Sequence, residues 1–249
     1  MSAQSHSLVM LRRNAKHIAR NPTSVFNAVL MPIVIMLMFV YMFGNAFNVG
    51  VKYIDYATPG LMLLAVCYGL GGTATAVNAD MTKGIINRFK VMDVSRGAVL
   101  TGHVVASVLT NLVAIAALVG VAFALGFRPA AGLTDWLGAV GLVALLAFAA
   151  GWFTVALGLF AKSPETAGMA AVPLVMLPFF SSAIVPADKM GPGLREFAKY
   201  QPFTPIIESL RGFLNGTPTA GHVIPALAWC VAIALVGYLW ARSTFAKRA

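Results

Sequence analysis

The sequence predicts an all-α integral membrane protein with six transmembrane helices, and three observations carry that prediction. Residues 21–51, 56–79, 97–127, 136–161, 166–187 and 212–241 contain no Asp, Glu, Lys or Arg. Each run exceeds the roughly 20 residues that a helix needs to cross a hydrocarbon core. Composition agrees, because 59% of the 249 residues are hydrophobic and only 10% are charged, far from a soluble domain. The apolar runs are continuous rather than alternating over about ten residues, which selects helices over a barrel.

The elements follow in order. Residues 8–20 read as an amphipathic interfacial helix, with Leu8, Leu11, Ala15 and Ile18 on one face and Arg13, Lys16, His17 and Arg20 largely opposite. Such a helix lies in the interface with its basic face toward anionic lipid; the alternative is a basic tail without structure. Asn21-Pro22 turns the chain into the bilayer. The first span is about twice as long as a signal-peptide apolar region and lacks a clear small-x-small site, so it is expected to remain as a signal anchor. The spans are placed at 24–44, 57–78, 101–126, 137–160, 166–185 and 221–241, within one domain covering 1–249. Pro32, Pro173, Pro178 and Pro225 kink spans, and Gly69, Gly71, Gly72 and Ala74 allow close helix packing.

Basic residues set the orientation. With both termini cytoplasmic, the inside segments hold Arg12, Arg13, Lys16, Arg20, Lys83, Arg88, Lys90, Arg96, Lys162, Arg242, Lys247 and Arg248, twelve of the eighteen Lys and Arg residues. This favours a multi-pass membrane protein with cytoplasmic termini, and the plasma membrane is its expected location. The formal charge of +10 sits beside membrane spans, so it reads as lipid headgroup contact rather than nucleic acid binding. Cys67 and Cys230 lie inside apolar runs, where they read as small packing side chains and not as a metal or disulfide site.

The missing charges also bear on chemistry. Ion-coupled carriers usually keep an ionisable group at mid-membrane depth. No Asp, Glu, Lys or Arg has that position, and His103 is placed at a span end, in the interface. No H-E-x-x-H, G-x-S-x-G or G-x-x-x-x-G-K-[ST] occurs. No catalytic, cofactor or metal residue is therefore assigned, and energy for active transport has to come from another polypeptide. Cargo without a counter-charge along its path should be apolar or amphipathic. Thr73, Asn78, Thr110, Asn111, Ser181 and Ser182 are the neutral polar groups available to it, although such groups also bond neighbouring helices.

One cytoplasmic loop is substantial. Over 80–96, Ile85, Ile86, Phe89 and Met92 recur at helical spacing, while Lys83, Asn87, Arg88 and Lys90 project elsewhere. A short helix of this kind either lies on lipid or docks in a partner's groove. Before the last span, Pro192 is expected to open a short helix with Leu194, Phe197 and Ala198 on one face. A second helix should follow, with Thr204 as N-cap and Pro205 at its first position, closed by Asn215-Gly216. Ile206, Ile207, Leu210, Phe213 and Leu214 make its apolar surface; it either dips into the bilayer or rests on it.

Three ordered stretches carry a family resemblance. They are Tyr53-Ile-Asp-Tyr-Ala-Thr-Pro-Gly60, Gly84-Ile-Ile-Asn-Arg-Phe-Lys-Val-Met-Asp-Val-Ser-Arg96 and Gln201-Pro-Phe-Thr-Pro-Ile-Ile-Glu-Ser-Leu-Arg-Gly212. Over nearly its whole length the chain resembles type-2 ABC transporter permeases, particularly the daunorubicin-resistance exporter type, although Asp93 stands where the family often has proline. The resemblance implies a six-span permease that pairs with a second permease copy or paralogue and with a cytoplasmic ABC ATPase, which would carry ATP and Mg. It implies that 80–96 is the coupling helix, with Lys83, Gly84, Ile86, Asn87, Arg88, Phe89 and Lys90 meeting the ATPase. It further implies extracellular re-entrant helices whose Pro202, Pro205, Ile206, Glu208 and Arg211 belong to an external gate. The function implied is export of a hydrophobic or amphipathic drug or lipid; the alternatives are an accessory membrane anchor and an ATP-independent channel or carrier.

Overall fold

The computed structural model describes the backbone of residues 22–44, 50–82 and 96–248. The expected interfacial helix at 8–20 and the coupling residues Lys83, Gly84, Ile86, Asn87, Arg88, Phe89 and Lys90 lie outside the described residues. Every regular element among the described residues is helical: α1 Pro22–Phe43, α2 Tyr53–Thr82, α3 Arg96–Ala124, α4 Leu133–Phe160, α5 Pro164–Ala170, α6 Val172–Met176, α7 Leu194–Tyr200, α8 Phe203–Leu214 and α9 Ala220–Arg248.

Tyr53–Thr82, Leu100–Ala124, Leu133–Phe160 and Ala220–Lys247 are long and apolar enough to cross a membrane. α2 outruns its charge-free stretch at both ends, α4 starts earlier and α9 ends later, whereas α3 stops at Ala124, short of the end of its stretch at 127. Where a helix outruns its apolar stretch, backbone hydrogen bonding carries it past the last apolar residue. α1 has 22 residues, a rise of about 33 Å, and keeps Pro32 within one helix.

The fifth expected span, 166–185, differs. Ser163 caps α5 by accepting from the Thr166 N–H at 3.2 Å, with Pro164 at the first turn. The chain then breaks into α6 and a 3-10 turn at Leu177–Phe180. Pro173 and Pro178 each remove a helical donor and crowd the preceding turn. The Ser181 hydroxyl donates to the Pro178 carbonyl at 2.5 Å and accepts from the Ala183 N–H at 3.2 Å, so the chain leaves as an irregular segment.

α2 is the central element, packed against α1, α3, α4, α5 and α8. Its largest neighbour, α4, approaches closely because Gly158 faces it: a Cβ there would lie 2.6 Å from the Ala74 carbonyl oxygen. Small residues let helix backbones meet where lipid tails give no hydrophobic drive to associate. Gly72, by contrast, meets nothing within 4 Å. α9 packs mainly on α4 and leaves Ile224, Trp229, Val231, Leu235, Val236 and Leu239 exposed, an apolar surface suited to lipid or a second chain.

α8 is the strongly amphipathic helix. Ile206, Ile207, Leu210 and Leu214 are fully buried against α2, α4 and α9. Its 12 residues rise only about 18 Å, too little to cross the core. The helix begins at Phe203 with Pro202 at the N-cap, two residues before the expected Thr204 cap. The Thr204 hydroxyl is used otherwise, accepting from the Ser182 N–H at 3.3 Å. Asn215 is the C-cap and Gly216 adopts φ 70°, closing the helix where expected. In α7, Ala198 is buried but Leu194 and Phe197 are exposed, so the expected apolar face is not packed within the chain.

Candidate functional site

Two of the three stretches that carry the family resemblance meet in space. α2 begins with Tyr53–Gly60, and α8 lays its last turns across that beginning. Gly60 permits the contact with the irregular 181–183 segment, since a Cβ there would fall 2.5 Å from the Ala183 Cα. The Tyr56 hydroxyl donates to the Ser182 carbonyl at 2.9 Å.

Arg211 joins the three pieces. One guanidinium nitrogen bonds the Glu208 carboxylate at 2.6 Å, three residues back on α8. The other donates to the carbonyls of Tyr56 and Ser182, each at 3.1 Å. The guanidinium carbon also sits 3.9 Å from the centroid of the Tyr56 ring. The Arg211 and Glu208 side chains are only 12% and 27% exposed. The planar fork of an arginine suits this arrangement, presenting one nitrogen to the Glu208 carboxylate and the other to the two carbonyls. The ring face beneath the cation adds a further attraction.

Beside this junction, Gln201 is buried and its amide nitrogen donates to the Phe180 carbonyl at 2.7 Å. A cavity of about 470 Å³ opens next to it, lined by Leu177, Glu196, Phe197, Tyr200, Gln201 and Pro202. Glu196 caps α7 through the Gly193 N–H at 2.9 Å, and hydrogen bonds from its own and the Gly193 backbone hold its carboxyl below the usual carboxylate range. The fixed negative charge thus stands at the rim of a largely apolar groove.

Of the residues assigned to the gate, Glu208 and Arg211 touch, Pro202 lines the groove, Pro205 accepts through its carbonyl from the Ser209 hydroxyl, and Ile206 is buried packing. The residues proposed for a pathway are scattered. Thr73 and Asn111 both reach the Ser107 hydroxyl, at 3.2 and 3.4 Å, between α2 and α3. Asn78 instead bonds the carbonyls of Gly158 and Ala161, at 2.9 and 2.7 Å, tying α2 to the end of α4. Thr110 turns its hydroxyl back to the Ala106 carbonyl. Ser181 and Ser182 belong to the Arg211 junction, at the other end of α2.

Sequence reasoning missed Tyr56 as a partner of Arg211, Ser107, and the pairing of His103 with Asp80 at 3.2 Å. His103 is 8% exposed, so its ring is enclosed by the protein between α2 and α3. The spacing of four between His103, Ser107 and Asn111 was the available signal, placing three polar side chains on one stripe of α3.

Comparison with known proteins agrees with the resemblance. The family model described as ABC-2 type transporter matches residues 6–215. A daunorubicin resistance ABC transporter permease protein of Streptomyces coeruleorubidus is 31% identical over 237 residues, covering 94% of this chain and 83% of the relative. A probable doxorubicin resistance ABC transporter permease protein of Mycobacterium tuberculosis is 25% identical over 240 residues, covering 93% and 85%. The chain belongs to the ABC-2 type transporter family.

Proposed function

We propose that the chain is the membrane-spanning permease subunit of an ATP-driven exporter. It moves a hydrophobic or amphipathic small molecule, drug or lipid outward across the plasma membrane, and a separate ATPase subunit supplies the energy. The observation that carries this reading is the course of α2 in a chain of this family. One continuous helix of 30 residues runs from the Arg211 junction to the connector that resembles a coupling helix. A chemical event on the ATPase side can thereby reach the opposite end through a single rigid element.

In this reading six segments span the bilayer, with α1 and the broken α5–α6 segment joining the four long helices, and both termini are cytoplasmic. The distribution of basic residues supports that orientation. The Arg211 junction and α8 form the external closure, and a second permease copy or paralogue completes the pathway. The drug-resistance names of two relatives, together with spans that hold no ionised side chain at mid-depth, support lipophilic cargo.

The test is retention of the ATPase on affinity-tagged permease when the two are co-expressed. Arg88→Glu with Phe89→Ala should leave the permease inserted but weaken retention. Loss of a buried aromatic anchor commonly costs about 2 kcal/mol or more, on the order of thirtyfold in affinity. Retention and permease-dependent ATP turnover that both survive the double substitution would refute the docking role of 80–96.

A further inference from the structure

α2 and α3 are the two helices that the 83–95 connector joins, since α2 ends at Thr82 and α3 begins at Arg96. At the neck of this hairpin, His103 Nε2 lies 3.2 Å from Asp80 Oδ2, with side chains 9% and 14% exposed. The geometry fits an imidazole whose Nε2–H donates to the carboxylate. Deeper along the same seam the Thr73 hydroxyl donates to the Ser107 oxygen and the Asn111 amide bonds the same atom. The Asn111 side chain there rests against Gly69.

Asp80, Thr73 and Gly69 on α2 thus face His103, Ser107 and Asn111 on α3. The seam runs from His103 to Asn111 along α3, about 12 Å. Buried polar groups in an apolar setting hold to one another because nothing else around them can hydrogen-bond. The strongest of these contacts, the one that includes a carboxylate, sits nearest the connector.

We propose that His103 and Asp80 are positioning residues for energy coupling. Their bond ties the end of α2 to the start of α3, so a displacement delivered to either helix end moves both together instead of parting them. Displacement delivered there travels the length of α2 to Tyr56 and so to Arg211. This inference rests on the proposed role of 80–96 in docking the ATPase.

The experiment uses the whole complex, permease and ATPase reconstituted in liposomes, and reads two quantities: ATPase retention, and cargo moved per ATP hydrolysed, with doxorubicin as the probe. His103→Leu should keep retention and hydrolysis within about twofold while cargo per ATP falls on the order of tenfold, the size expected for one buried hydrogen bond to a charged group. His103→Gln, whose amide nitrogen still donates to Asp80, should restore coupling to within about threefold. The same contrast is expected from the other side, with Asp80→Asn coupled and Asp80→Leu uncoupled; that pair decides the matter if His103→Leu fails to insert. Equal cargo per ATP across the donor-keeping and donor-lacking variants overturns the clamp. Retention that survives Arg88→Glu with Phe89→Ala overturns instead the docking role on which it rests, so the two failures are distinguishable.

Discussion

Removal of the Arg211 side chain should open the junction between α2, α8 and the 181–183 segment. Arg211→Ala deletes one ion pair, two hydrogen bonds to carbonyls on different segments and a cation seated on a ring. Breaking a buried pair by removing one partner costs roughly 3–5 kcal/mol. Glu208 is about a quarter exposed, so the lower figure applies, about 3 kcal/mol. That corresponds to an opening equilibrium raised on the order of a hundredfold. Ser182 provides the reporter: it is 1% exposed, and its hydroxyl oxygen finds no partner among the described residues. Ser182→Cys is therefore near-isosteric and sacrifices no hydrogen bond. In a background where Cys67 and Cys230 are replaced by alanine, modification by an impermeant maleimide should be slow with Arg211 present and about a hundredfold faster with Arg211→Ala. Glu208→Gln keeps an acceptor and should accelerate labelling only about fivefold, near 1 kcal/mol. Rates within threefold of the parent for Arg211→Ala would refute the assignment of Arg211 as the tie among three segments, by the same conversion of roughly 1.4 kcal/mol per decade.

Three further outcomes are expected. Cysteine at Thr217 should react with an impermeant thiol reagent in intact cells while cysteine at Ser5 stays shielded; the reverse pattern would put the connector on the wrong side for an ATPase. Asn78→Leu removes two bonds from α2 to α4 and should lower stability in detergent by about 1–2 kcal/mol, the range for interhelical hydrogen bonds in membranes; an unchanged thermal midpoint would show that these bonds contribute nothing net. Gly158→Val places side-chain atoms against the Ala74 carbonyl and should cost about 1–3 kcal/mol through forced separation of α2 and α4. A gain in stability there would contradict the close approach.

The parts of this fold that follow from hydropathy were readable without the structure, and those that depend on where loops go were not. Charge-free runs placed α2, α3, α4 and α9, because in lipid an apolar stretch has no choice but to satisfy its own backbone. The segment at 166–187 has the same composition, yet Pro173 and Pro178 outweigh it and the helix breaks. Composition measures what lipid tolerates, whereas proline acts on backbone donors. Thr204 looked like an N-cap because its hydroxyl stands beside a helix start. That hydroxyl bonds Ser182, a partner 22 residues away that local sequence cannot show. Glu208 and Arg211 were singled out by resemblance. Their junction with Tyr56, 155 residues earlier, is a tertiary fact. Asn78 reads equally well as pathway or packing until its two acceptors on α4 are seen.

Export of lipophilic cargo is the central claim, and directional transport tests it most directly. Inside-out membrane vesicles containing the permease and its ATPase should accumulate doxorubicin in their lumen when ATP is added. Accumulation should cease with a non-hydrolysable analogue, and free sugars or small hydrophilic ions should neither accumulate nor stimulate turnover. ATP-driven uptake confined to a hydrophilic cargo, or doxorubicin accumulation that needs no ATP, would contradict the account.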